Sequence, residues 1–494
     1  MNDKRIALIG ILLLTLLAAL VRIPFLGHES FWKDELSIWS FVNVPTLSQA
    51  IYNGAIVDPH PPLYMVIVFP IVHLLGMSEA AFRLPSALIG IASVPLIYIL
   101  ASRAFSWREG LIAAAFMALM FRPIYYSLEA RNYMLLGAAS ITLGIAWVTV
   151  AKATVERQRL SLKSLAGYAI LVALAPYSHY FGVLLAVVMF AHLGWRSRSL
   201  NSGRKNVATL MGITALLYLP WLPFAAKTFG RSNNAFWISK PHLDAPVVFF
   251  TFFYGKSPIL VFLMTTIAVG YLIFAGQRKT GNSDIVKENP TWSREVALLL
   301  VVWLAGPFFI TLIKSLLSTS FFLNRYFFIC LPAAYLCTAR GITLMSDLRK
   351  SPILAPAITS LIIVMAWTQM VILQHMFTKS ARSEYREAVQ YVERNLAAKN
   401  GKVIPVLSTQ PMLSYYVDQP NSGLILAAAD HIDTNLPSTK TYLELNHPTE
   451  FWFLDARDDN LLAGRQFFNP VGYSQEKYRK FKDIVAIHYI KSNP

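Results

Sequence analysis

The chain has 494 residues, of which 55% are hydrophobic and 14% charged, with a net charge of +17 and a mean hydropathy of +0.47. Soluble domains carry roughly 25% charged residues, so this composition excludes an ordinary soluble protein and indicates a polytopic α-helical membrane protein. The basic excess reads as loop anchors and attraction to anionic lipid, and no nucleic-acid-binding signature accompanies it.

Apolar runs long enough to span occur near 6–26, 84–102, 110–128, 133–151, 164–178, 180–195, 207–225, 255–275, 296–317, 321–339 and 353–375. The first has no small-residue cleavage site before Val21-Arg22-Ile23-Pro24 and reads as a retained helix. The run from Pro61 to Gly76 is shorter and opens on two prolines, which suits a surface or re-entrant helix better than a span. Loop charge supports leaving it out. With a cytoplasmic N-terminus and about 11 spans, the loops carrying Arg103 and Arg108, Lys152 to Lys163, Arg196 to Lys205, Arg278 to Arg294, and Arg340 to Lys350 all fall inside. Counting 61–76 as a span would invert every one of them, against the positive-inside tendency. The loop around Lys227, Arg231 and Lys240 is the basic exception outside. Cys330 and Cys337 lie two helical turns apart, about 10 Å, too far for a disulfide, and read as packing residues.

After Phe377 the composition turns polar. EYREAVQYVERNL places Val389, Val392 and Leu396 at helical spacing, while KVIPVLS, GLILAAA and EFWFLDA read as short strands. The expected organisation is a transmembrane domain over 1–377, with a first external loop over 27–83, and a small external α/β domain over 378–494.

That topology gathers the ionisable residues on one side. Segment 27–83 holds Asp34, Glu35, Asp58, His60, Glu79 and Arg83. YYSLEARNY brings Glu129 and Arg131, PYSHYFG brings His179, and STSFFLNRYFF brings Arg325 and Tyr326. Ionisable residues at the rims of spans are site candidates by default. Each also has a plainer reading. Asp34-Glu35 suits a helix N-terminus; Asp58-Pro59-His60-Pro61-Pro62 suits a rigid turn; Glu129 and Arg131 suit an exposed loop; Arg325 suits a snorkelling anchor. Asp34 and Glu35 sit among Phe31, Trp32, Ile38 and Trp39, which favours a pair held at the membrane surface. No ligand spacing enforces a metal site. The set fits glycosyl transfer from a lipid-linked phosphate sugar. A carboxylate takes the proton of the acceptor hydroxyl, and cationic or hydrogen-bonding groups stabilise the departing lipid phosphate. Direct displacement with one base predicts inversion at the anomeric carbon.

FWKDELSIW, DPHPPLYMVIVFPIVHLLGMSEAAFRLPSALIG, YYSLEARNYML, YSHYFG and NRYFFICLPA, in that order over residues 1 to 340, resemble membrane glycosyltransferases of the GT-C superfamily. The likeness is to the branch of protein O-mannosyltransferases, the lipid A aminoarabinose transferase and the rhizobial core galacturonosyltransferases. The resemblance implies a polyprenyl-phosphate sugar donor, undecaprenyl phosphate in bacteria, used on the periplasmic face of the inner membrane. It implies surface helices in the first loop, no metal, and a lipid, glycan or protein acceptor. Asp34 matches the acidic catalytic position and Glu35 completes its pair. His60 stands where the aminoarabinose branch has a phosphate-binding lysine, and Tyr326 resembles a phosphate-contacting tyrosine.

Two other classes fit parts of the pattern. A transporter or flippase of envelope lipids suits the helix number, but transporters often show internal repeats and midplane sites, and neither is visible. A ligase or polymerase would take a diphosphate-linked donor.

Overall fold

The computed structural model describes residues 2–57, 60–198, 201–231, 238–277, 290–378, 382–396, 404–418, 424–430, 436–456 and 467–492. Asp58 and residues 278–289 of the basic loop therefore lie outside the described residues. Each of the eleven apolar runs corresponds to helix. Eight helices are long and apolar enough to cross a membrane, and the pair Trp107–Leu119 and Phe121–Ser127, bent by 52°, makes a ninth. The remaining two runs are the helices Leu162–Ser178 and Tyr180–Arg196, of 17 residues each. At about 25 Å these reach the lower limit for crossing. Leu63–Leu75, the run expected as a surface helix, has 13 residues and is too short to cross.

The bend at Met120 coincides with two features, Pro123, which has no N–H to give the Leu119 carbonyl, and a buried arginine. Arg22 is fully buried at the end of the first span. Its guanidinium donates to the carbonyls of Ala18 (3.1 Å), Ala118 (2.9 Å) and Met117 (3.0 Å), and to Ser127 Oγ (3.0 Å). The carbonyls of Met117 and Ala118 lie in the last turn before the break, where a helix leaves acceptors unsatisfied. A side chain inserted at such a point is a recognised source of kinks.

Other loop cations are paired within the bundle. Arg340 meets Glu109 at 2.6 Å, Arg108 meets Asp347 at 2.7 Å and Arg196 meets Glu295 at 2.7 Å. His192 lies beside the same Glu295 and accepts from the Trp147 indole N–H at 3.0 Å. Trp147 in turn stacks on Trp303. Both cysteines are buried and free, as their spacing requires.

The chain divides into two compact units. One comprises Met1–Leu26, Val44–Gly76 and Ala81–His375; the other comprises Gly27–Asn43, Met77–Ala80 and Met376–Pro494. The second unit thus takes in two pieces of the first loop that sequence pattern groups with the transmembrane domain. Its sheet has the strands β1 (Ile404–Ser408), β2 (Leu424–Ala429), β3 (Glu450–Asp455), β4 (Tyr473–Phe481) and β5 (Ile484–Lys491), in the order β2-β1-β3-β5-β4. β1 runs parallel to β2 and β3, while β5 runs antiparallel to β3 and β4. β1, β2 and β3 are the three expected strands. The β4–β5 hairpin is an addition to them, because β4 is an exposed edge rich in charge and carries little apolar alternation. Phe451, Phe453, Phe468, Ile487 and Tyr489 form the core on one face of the sheet.

Candidate functional site

In the bundle unit, four stretches singled out in the sequence meet. His60 lies just before the helix Leu63–Leu75, and its ring centroid is 4.7 Å from that of His179 and 6.5 Å from that of Tyr133. His179 packs on Tyr326 at 4.8 Å, and the guanidinium of Arg325 lies 5.3 Å from the Tyr133 ring centroid. Tyr326, Glu129, Arg131 and His179 are all buried.

Local chain geometry places each of these groups. His179 is the single extended residue between the helices Leu162–Ser178 and Tyr180–Arg196, with φ −165° and ψ 149°. Its Nδ1 accepts from the Phe181 N–H at 3.0 Å, so a neutral ring carries its proton on Nε2. Asn132 Nδ2 donates to the Ser178 carbonyl at 2.8 Å and ties the YSLEARNY turn to the histidine. Ser86 donates to the Arg131 carbonyl at 3.3 Å, which fixes that turn on the helix Glu79–Ala104. Arg83, in the first turns of the same helix, donates to the Leu26 carbonyl at 3.1 Å. Arg325 and Tyr326 come from the 3-10 turn Asn324–Cys330. That turn sits close to the helix Tyr133–Val155 because Gly137 has no side chain: a Cβ there would lie 2.2 Å from the Phe328 ring.

A histidine in place of a lysine leaves open whether this position carries a charge. Burial, with Arg131 and Arg325 nearby, holds the pKa of His60 well below 6.5. It is therefore neutral at pH 7, and the two arginines are the permanent charges beside it.

Asp34 and Glu35 belong to the other unit. They lie in the first turn of the helix Lys33–Val42, where negative charge is favoured. Asp34 is half-buried and Glu35 is fully buried. The Trp32 N–H points to Glu35 Oε2 at 3.4 Å, a long contact of the kind an acidic residue makes at this position of a helix. Phe31 and Trp39 do not stand free at a surface; their rings pack on Tyr415, at 5.1 and 5.5 Å. Glu79 has a structural partner, Arg386, at 2.7 Å. Among the described residues no group of three or more His, Cys, Asp or Glu side chains is arranged to hold a metal ion.

Residues 59–224 match the family model described as dolichyl-phosphate-mannose-protein mannosyltransferase. ArnT from Cupriavidus metallidurans, solved bound to undecaprenyl phosphate, superposes with a TM-score of 0.59 at 14% identity, over 99% of this chain and 98% of that one. The oligosaccharyltransferase AglB from Archaeoglobus fulgidus, solved with an inhibitory peptide and a dolichol-phosphate, gives 0.55 at 12% identity, over 92% of this chain and 69% of that one. No curated protein matches the chain in sequence. The chain has the GT-C glycosyltransferase fold. The stretch that matches the mannosyltransferase model includes His60, Arg83, Glu129, Arg131 and His179; Arg325 and Tyr326 follow it.

The PYSHYFG stretch also carries a packing requirement. A Cβ on Gly182 would lie 2.0 Å from the Ala175 carbonyl oxygen, and backbone cannot step aside as a side chain tip does. Gly182→Ala is expected to spread the His179 turn and to destabilise the protein by about 1–3 kcal/mol, the usual cost of overpacking. Thermal unfolding of the purified variant measures it, and an unchanged midpoint would count against the tight turn.

Proposed function

We propose that the protein is an inverting glycosyltransferase that moves a sugar from a polyprenyl-phosphate donor to an envelope acceptor on the periplasmic face of the bacterial inner membrane. The observation that carries this reading is the convergence of His60, Arg131, His179, Arg325 and Tyr326 from separate stretches of the chain. Two guanidinium groups, a phenol and two imidazoles suit one phosphate group. That such a group is bound by ArnT, which shares the fold, supports the choice of donor.

In this reading the phosphate of the donor lies against Arg131 and Arg325. Asp34 takes the proton from the acceptor hydroxyl as its oxygen bonds to the anomeric carbon. The bond from that carbon to the phosphate oxygen breaks, and the lipid phosphate leaves with the electron pair. Arginine and tyrosine donors fixed before the reaction stabilise the charge that develops on it. His60, neutral in the protein alone, gains a favourable partner for a proton once a phosphate dianion offsets the two arginines. Glu35 supports the helix that carries Asp34, and Arg83, Glu129 and His179 shape the substrate side.

The test incubates the purified protein with defined undecaprenyl-phosphate sugars and envelope extracts, and follows transferred sugar by mass spectrometry. Transfer from a lipid monophosphate donor with inverted anomeric configuration is the expected result. Because cationic side chains supply the phosphate contacts, chelation with EDTA is expected to leave the rate unchanged. Absence of transfer from every such donor would sink the proposal, and strict dependence on a divalent cation would sink its metal-free chemistry.

A further inference from the structure

The segment immediately before the Asp34 helix is held by the chain beyond the membrane bundle, residue after residue. Arg386 donates to the carbonyls of Gly27 (3.2 Å) and His28 (2.9 Å). Glu29 pairs with Arg382 at 2.6 Å, and both are buried. Ser30 donates to the Ser383 carbonyl. The Phe31 N–H donates to the Tyr416 hydroxyl at 2.7 Å. Five consecutive residues are thus anchored, ending three positions before Asp34.

The same anchors also grip the second piece of the loop. The Tyr416 hydroxyl donates to Glu79 Oε1 at 2.7 Å, Arg386 pairs with Glu79 Oε2 at 2.7 Å, and the Tyr415 hydroxyl donates to the Met77 carbonyl at 2.8 Å. Tyr415 in addition covers Phe31 and Trp39, on either side of the Asp34 turn. Burial and the Glu79 carboxylate push the Tyr416 phenol up, so it stays protonated and makes both bonds. A requirement of the sheet alone would not produce this pattern. The aromatic core of the sheet is built from other residues, and it includes none of residues 27–43.

We propose that Arg382, Arg386, Tyr415 and Tyr416 form a positioning frame that fixes the Asp34 helix, giving the C-terminal domain an indirect, positioning part in catalysis. Tyr416 and Arg386 are positioning residues: they act through Phe31, Gly27 and His28 on the placement of the carboxylate. This inference rests on the transferase reading above.

The test compares wild type, Tyr416→Phe, Arg386→Ala and Arg386→Lys in full-length protein, by transfer kinetics and by amide hydrogen exchange. In Tyr416→Phe the donor KM is expected to stay within about twofold while kcat falls on the order of 10–100-fold, since small misplacements of a reacting group are costly. Exchange is expected to quicken over residues 31–42 and to hold steady in β3 and β5. Arg386→Ala is expected to lose kcat similarly, and Arg386→Lys, which keeps a cation for Glu79, to recover part of it. Unchanged kcat in Tyr416→Phe would overturn the frame, as would exchange quickened equally across the sheet. A wild-type protein that transfers no sugar from any lipid monophosphate would overturn the transferase reading itself, a distinct outcome.

Discussion

Asp34→Asn is expected to lower sugar transfer by about 10²–10⁴-fold, which is the usual range for removing a positioned general base and equals about 3–5 kcal/mol of barrier. The amide keeps the size and polarity of the side chain but cannot take the proton of an acceptor hydroxyl. Donor binding is expected to persist, because in the proposed mechanism Asp34 acts on the acceptor while Arg131 and Arg325 hold the phosphate. The control that separates the two adjacent carboxylates is Glu35→Gln. Glu35 is buried with an oxygen toward the Trp32 N–H, and the glutamine oxygen can occupy that place. Its loss is expected to be less than about tenfold, as befits a helix-end contact rather than a proton acceptor. Transfer assays on both variants, with donor binding measured separately, decide the matter. Full activity in Asp34→Asn, or a dead Glu35→Gln beside an active Asp34→Asn, would reverse the assignment.

Much of the candidate site is legible in the amino-acid sequence alone. Spans declare themselves through apolar runs, and ionisable residues gathered at one rim of the spans are candidates for a site, though a single one there can be a snorkelling anchor. That logic picks out His60, Arg131, His179, Arg325 and Tyr326, which the fold brings together. Hydrophobic periodicity likewise yields the strands β1 to β3. It cannot yield β4, whose side chains are mostly exposed, nor distinguish Arg22 from a snorkelling flank. The largest gap concerns residues 27–31. Their partners lie about 350 residues along the chain, as with Glu29 and Arg382 at a separation of 353. No local pattern encodes such a pairing; a lone buried arginine or tyrosine in a polar tail reads the same whether it anchors a distant loop or its own domain. The charge state of His60 is hidden for a related reason. A histidine beside prolines says nothing of its pKa until the arginines of two other segments are placed against it.

That charge state makes Arg325 the second decisive residue. Arg325→Gln is expected to reduce transfer by about 10²–10³-fold, the range seen on removing one preorganised donor to a developing anion. Arg325→Lys keeps the charge but loses the planar group set against Tyr133, so it is expected to recover only part of the rate. The glutamine variant has a separate signature on pH. In the wild type His60 faces Arg131, Arg325, His179 and Tyr133, and burial together with the two arginines holds its folded pKa below 6.5. Between that folded value and the unfolded value near 6.5, the unfolded chain binds a proton that the folded chain does not. The group's contribution to stability is therefore intact above pH about 6.5 and declines as pH falls below it, by at most about 1.4 kcal/mol per pH unit. Removing the Arg325 charge lifts part of the constraint, so the His60 midpoint rises toward 6.5 and the acid-side loss of stability becomes smaller. NMR titration of the labelled His60 ring in donor-free protein reads the midpoint directly. A wild-type midpoint at or above 6.5 would contradict the electrostatic account, and a fully active Arg325→Gln would remove Arg325 from the phosphate site.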